Sequence, residues 1–130
     1  MERAVVLVDG SCRGNPGPVS VGWIIGQGGE ILERGGRKFG IGTNNTAEYL
    51  AIITALERCI ELGLKEVTVK SDSQLAVMQI TRGWKVNHKH LRDLRDKARH
   101  LMKFFDKVDI VFVPREMTEA AHDLATEETE

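Results

Sequence analysis

VVLVDGSCRGNPGP, residues 5–18, runs from four apolar residues into an aspartate and then into a loop holding three glycines and two prolines. The apolar run reads as a buried strand, and the glycines and prolines end it, which leaves the Asp9 carboxylate standing where a strand stops. A turn residue bonding its own backbone two positions on is one explanation of such an aspartate. A functional carboxylate is the other, and the rest of the chain bears on the choice.

Working outward, Val19 to Ile25 is a second apolar run and Glu30 to Arg37 a polar third, with GQGG between them as a hairpin turn. Three antiparallel strands therefore open the chain. TNNTAEYLAIITALERCIELG changes to helical spacing: Tyr49, Ile52, Ile53, Leu56 and Ile60 share one face, Ala47, Ala51 and Ala55 another, and Gly63 is the stop. EVTVKSD predicts a fourth strand ending near Asp72, and Gln74 to Ile80 a short helix. Leu91, Leu94, Ala98, Leu101, Met102 and Phe105 mark a longer helix, VDIVFVP a fifth strand stopped by Pro114, and Ala121, Leu124 and Ala125 the apolar face of a last helix.

This order implies an α/β fold, a five-stranded mixed sheet with helices on both faces. In open sheets of that kind, sites gather at the carboxyl ends of strands near the point where strand order reverses. Asp9 and Asp72 would both stand there if the first and fourth strands are parallel neighbours.

The 130 residues suit one domain spanning 1–130. With 42% hydrophobic and 28% charged residues, neither a disordered nor a fibrous class is indicated. The short apolar run after Arg3 predicts neither a signal peptide nor a membrane span, so a cytoplasmic protein without a membrane partner is expected. Cys12 and Cys59 show no metal-ligand spacing and read as free thiols. The net charge of −1 hides a segment from Arg82 to Lys107 rich in Lys, Arg and His, followed from Glu116 by a tail without Lys or Arg. That polarity suits a chain meeting a polyanion with one face, although a solvated helix with alternating charges would look the same.

Each further acid also has a structural explanation. Asp72 could cap the helix that follows it, and Glu48 could close a capping box with Asn45 in NTAE. A cap predicts nothing about its neighbours, however, and here DGSCRGNPGP, TNNTAEY and SDSQLAV occur in series, each at a junction of predicted elements. This series, from Val5 to Ala125, resembles the type 1 ribonuclease H family, enzymes that cut the RNA strand of RNA–DNA hybrids. The short length and VPRE before the last helix are similar to the compact archaeal-like form, which lacks the basic protrusion of the longer bacterial one.

The resemblance implies the ribonuclease H-like sheet, three antiparallel strands then two parallel, with the first strand central. It implies two divalent ions, Mg²⁺ or Mn²⁺, with Asp9 bridging them and Glu48 and Asp72 completing the carboxylate ligands. Hard cations take carboxylate oxygens and retain waters, and a metal pair suits in-line phosphodiester hydrolysis to 5′-phosphate and 3′-hydroxyl ends. For the substrate, an RNA–DNA hybrid, it implies contacts from the loop Cys12, Arg13, Gly14 and Asn15. Asn44, Asn45 and Gln74 fall at minor-groove positions, and Thr43 at a DNA-strand phosphate. Thr43, Asn44 and Asn45 are also open to a helix-capping role.

The pattern breaks in the last helix. TEAAHDLA, aligned on Ala121, Leu124 and Ala125, puts Thr118 where the family has Asn and His122 where it has a fourth acid, with Asp123 one place later. One residue along a helix is a rotation of about 100°, so turning Asp123 inward would swing Leu124 off the core. His122 is therefore favoured as the fourth site residue, with Asp123 as the substitute and an exposed, idle His122 as the remaining alternative. An imidazole removes one negative charge and offers nitrogen, which predicts a bias towards Mn²⁺.

Arg115 in VPRE fits a phosphate contact or a solvated charge. Trp84 and Lys85 fit a reduced platform for the DNA strand, and Trp84 fits rim packing as well. A monomer is expected. A hybrid-binding module without catalysis, or a nuclease of the same fold acting on double-stranded RNA or junctions, are the alternative readings.

Overall fold

The computed structural model describes residues 2–129, without the side chains of Leu124 and of 126–129. The expectation that Leu124 lies on an apolar face falls outside the described residues. The strands are β1 (Ala4–Cys12), β2 (Gly17–Gln27), β3 (Glu30–Gly42), β4 (Glu66–Ser71) and β5 (Lys107–Phe112). The helices are α1 (Asn44–Glu61), α2 (Gln74–Thr81), α3 (Lys89–Met102) and α4 (Glu119–Thr129), with a 3₁₀ turn at Arg115–Met117. No helix among the described residues is long and apolar enough to cross a membrane.

The sheet order is β3-β2-β1-β4-β5, which places β1 in the centre. β1 pairs antiparallel with β2 and parallel with β4, and β4 pairs parallel with β5. The hairpin between β2 and β3 turns on Gly28 and Gly29, both at positive φ, the conformation a tight two-residue hairpin demands. The strands alternate as a half-buried sheet should: Val6, Val8, Val21, Ile25, Val67 and Val69 meet Tyr49, Ile52, Ile53 and Leu56 of α1 in the main core. A fully buried aliphatic side chain of this kind contributes about 1.5–3 kcal/mol. On the opposite face α4 packs across β1, β2 and β3, where Ala121 and Ala125 are fully buried and Ser20 Oγ donates to the Ala125 carbonyl at 2.6 Å.

Helix α1 is buried on two sides, because α3 covers the flank turned away from the sheet. Ile60, expected on its apolar face, is only half-buried. Gly63 at φ +75° ends α1 in a Schellman arrangement, with Leu64 N–H donating to the Cys59 carbonyl. Phe105, expected in the long helix, follows its end and packs on the core from the next turn.

The stops differ from expectation at the points that matter for the site. β1 does not end before Asp9: it pairs with β2 as far as Cys12 opposite Val19, so Asp9 sits inside a strand and Cys12 at its end. The parallel ladder with β4, by contrast, stops at Leu7 opposite Lys70. Beyond that pair β1 continues alone on this side while the chain of β4 leaves towards Asp72, and the sheet splits. The caps also differ. Thr43, not Asn45, caps α1 by accepting from Thr46 N–H, and Ser73, not Asp72, caps α2 by accepting from Ala76 N–H. Glu48, with no capping box to close, and Asp72 are thereby released from local duties.

Candidate active site

Asp9, Glu48 and Asp72 meet at the split, each offering an oxygen within 4.8 Å of the others. Asp9 is 2% exposed. Glu48 reaches it from α1 because Gly10 lets the helix backbone touch the strand: a Cβ on Gly10 would lie 2.3 Å from the Ala47 carbonyl carbon. The same contact lets Gly10 N–H donate to Glu48 Oε1 at 2.8 Å. The sequence groups Gly10 with the glycines of the following loop; the signal for its contact is a glycine directly after the acid together with a helix face carrying Ala47, Ala51 and Ala55.

His122 Nδ1 lies 2.5 Å from Asp9 Oδ2, and Asp123, the substitute, is exposed. Arg115 Nη2 lies 3.3 Å from both ring nitrogens of His122, and Arg115 Nη1 lies 3.7 Å from Asp72 Oδ2. The arginine bridges the last helix and the fourth strand's exit.

Burial and crowding oppose ionisation here. Desolvation, then the Asp72 charge, raises the Asp9 carboxyl to about 6, with the His122 hydrogen bond working the other way. Desolvation, then Asp9 and Asp72, raises Glu48 to about 9 against the pull of the Gly10 amide. Asp72 Oδ1 is buried with no hydrogen-bond partner. Clustered carboxylates that resist ionising together, one with an orphaned oxygen, fit a hard divalent cation, which would neutralise them and fill the vacant coordination.

The remaining predicted residues fall into further groups. Cys12 Sγ turns to the carbonyls of Gly14 and Gly42, at 2.8 and 3.4 Å, and Arg13 N–H donates to the Pro18 carbonyl, closing the hairpin loop. Asn15 Oδ1 accepts from Asn44 N–H at 3.1 Å, so the loop leans on the start of α1. Asn15, Thr43, Asn44 and Asn45 then line a pocket with His88 and His90, which in sequence are marked only by their place in the basic segment. Gln74 opens α2 and is exposed. Trp84 and Lys85 are exposed on a connection that is held firmly. Tyr49 OH donates to Gln79 Oε1 at 2.6 Å, Gln79 Nε2 donates to the Lys85 carbonyl, and Arg92 donates to the carbonyls of Val86 and Asn87.

A central strand carrying a buried acid, two further acids at the sheet's split and this strand order define the ribonuclease H-like class. A family model described as Reverse transcriptase-like matches residues 7–128. The chain is 45% identical over 126 residues to ribonuclease HI of Halobacterium salinarum, covering 96% of this chain and 63% of that relative's length. The crystal structure of RNase H1 from the same halophilic archaeon superposes with a TM-score of 0.94 at 42% identity, covering 98% of this chain and 97% of that one. LC11-RNase H1, solved in complex with an RNA/DNA hybrid, superposes with a TM-score of 0.89 at 34% identity, covering 96% and 95%. The chain belongs to the type 1 ribonuclease H family.

Proposed function

We propose that this chain, acting as a single domain and a monomer, is an endonuclease that hydrolyses the RNA strand of RNA–DNA hybrids, leaving 5′-phosphate and 3′-hydroxyl ends. The observation that carries the reading is the cluster of Asp9, Glu48 and Asp72 at the split between β1 and β4. A module that only binds nucleic acid gains nothing from three carboxylates where phosphate must approach. Its two free thiols suit a reducing compartment, the cytoplasm.

Asp9, Glu48 and Asp72 would hold the metal, two ions of Mg²⁺ or Mn²⁺. The chemistry such ions would supply is a lowered pKa for the attacking water and charge stabilisation for the departing 3′ oxygen. The protein's part is position. Gly10 N–H fixes one Glu48 oxygen, leaving the other to face the cluster. His122 orients the Asp9 carboxylate through Nδ1 and takes the fourth place of the site in preference to Asp123, where it would serve as a further ligand. Arg115 brings positive charge to the rim, where it faces an incoming phosphate. Thr43, Asn44, Asn45 and Asn15, with the loop of Cys12, Arg13 and Gly14, form one side of the substrate track, and Gln74, Trp84 and Lys85 supply groove and strand contacts beyond it. Readout by shape and 2′-hydroxyls is indifferent to sequence.

The test is cleavage of an end-labelled hybrid with Mg²⁺ and with Mn²⁺ in parallel, with Asp9→Asn as the blank. RNA cut only with metal, and not by the blank, supports the reading; hybrid that binds but stays whole with either metal overturns it.

A further inference from the structure

Tyr49 directly follows Glu48 in α1 and is 1% exposed, so its hydroxyl must find a partner inside the protein. It donates to Gln79 Oε1 of α2 at 2.6 Å, and Gln79 Nε2 donates onward to the Lys85 carbonyl at 3.0 Å. The direction of this path is fixed. A carbonyl only accepts, so the Gln79 amide must turn its nitrogen to Lys85 and its oxygen to Tyr49, which is left as the donor. Burial pushes the Tyr49 hydroxyl up to about 12, so it keeps that proton at every working pH.

The path ends on the backbone of the connection between α2 and α3, and the rest of that connection is held in the same way. Arg99 donates from Nε to the Ile80 carbonyl and from Nη2 to the Gln79 carbonyl, both at 3.0 Å, and so closes the end of α2. Gly83 at φ +72° turns the chain, and Arg92 holds the carbonyls of Val86 and Asn87 beyond it. Trp84 and Lys85 are thus gripped by their backbone while their side chains remain exposed. Stability alone does not ask for this arrangement. Two apolar side chains of the same shapes would fill the space of Tyr49 and Gln79 at nearly the same stability, but they would not select one position for the Lys85 carbonyl.

We infer that Tyr49 and Gln79 are positioning residues for substrate: their path sets where the platform of Trp84 and Lys85 stands relative to the helix that carries Glu48, so that a strand held on the platform lays its partner strand across the carboxylates. The inference rests on the hybrid substrate, and on the strand contacts of Trp84 and Lys85, proposed above.

The experiment compares the parent with Tyr49→Phe and Gln79→Met for hybrid Kd in chelator, where RNA stays whole, and for KM and kcat with metal, each alongside its Tm. Breaking the path should raise Kd and KM by about fivefold, less than loss of the Trp84 ring itself, and leave kcat within about twofold. Because either variant severs the same path, the two together should cost no more than Gln79→Met alone. In a background of Trp84→Ala and Lys85→Ala, Tyr49→Phe should leave Kd and KM where they are, since no platform remains to be placed. Parental Kd and KM in Tyr49→Phe, whatever its Tm, overturn the inference; so does a loss that persists in the background without the platform, or one that falls on kcat instead. Tyr49→Phe removes a single oxygen, so the test stands even if Gln79→Met does not fold. Failure of the functional reading shows in the parent: where hybrid binds but stays whole, the comparison of Kd values still decides the inference, and a parent that binds no hybrid overturns both.

Discussion

His122 Nδ1 lies 2.5 Å from Asp9 Oδ2, joining the last helix to the central strand across 113 residues of sequence. The contact puts an imidazole against the acid through which the other carboxylates are coupled, at the place where the family pattern has a fourth acid. It lessens the repulsion within the cluster and exchanges an oxygen donor for nitrogen.

The metal preference should follow that exchange. The parent is expected to cut hybrid faster with Mn²⁺ than with Mg²⁺ at low millimolar metal, and His122→Asp should shift the ratio of the two rates towards Mg²⁺ by about tenfold. Initial rates with each metal measure it. Equal rates in the parent would remove His122 as the source of any bias.

Stability without metal should fall as pH rises. The ordinary values of Asp9 and Glu48 are 3.8 and 4.5, and the fold raises them to about 6 and about 9. A raised acid pKa means the folded protein holds the proton more tightly than the unfolded one. Stability is therefore greatest below the ordinary values and declines as pH climbs through the raised ones. Metal binds the ionised cluster, so the increase in Tm on adding Mg²⁺ or Mn²⁺ should grow over the same window. Thermal melts across pH with and without metal give both slopes, and a metal-free Tm that holds constant over the window contradicts the assignment.

Gly10→Ala should damage fold and site together. Its methyl would lie 2.3 Å from both the carbon and the oxygen of the Ala47 carbonyl, backbone atoms that cannot step aside. Overpacking of this kind costs about 1–3 kcal/mol, and pushing α1 outward also takes Glu48 from the Gly10 amide. Denaturant titration should show the loss, with cleavage reduced beyond what the unfolded fraction explains. Full activity per folded molecule would mean that the close contact is not what places Glu48.

Trp84→Ala should raise KM for hybrid by about tenfold with little change in kcat, because base–aromatic stacking is worth about 1–3 kcal/mol. The ring is 46% exposed, while the connection that bears it is held by Gln79 and Arg92. Melting temperature should therefore scarcely move, and Trp84→Phe should recover much of the affinity. A large loss of Tm with unchanged KM would make Trp84 a packing residue.

Periodicity along the chain was enough for the three opening strands, the alternation of helix and strand after them, and the two-faced helix after Gly42. These are local patterns, repeated every two residues in a strand and every three or four in a helix, and burial follows them directly. The three acids were legible for another reason: DGSCRGNPGP, TNNTAEY and SDSQLAV occur in series and resemble one family's pattern, although the folded chain leaves Asp9 inside β1 and Glu48 inside α1.

Tertiary structure decided what those residues do. Asp9 could be read as a turn residue until the antiparallel ladder with β2 carried β1 past it, a pairing set by residues Gly17–Gln27 rather than by its own neighbours. Asn45 and Asp72 looked like caps by spacing alone, yet Thr43 and Ser73 hold those places, because a cap is settled by backbone angle and hydroxyl reach within one turn. The Gly10 contact with Ala47, the His122 contact with Asp9 and the hydrogen-bonded path from Tyr49 to Lys85 join elements far apart in sequence. Periodicity reports which face of an element is buried. Which atoms meet across that face depends on where the sheet splits and how closely each helix approaches it, and only the folded chain brings those distances into being.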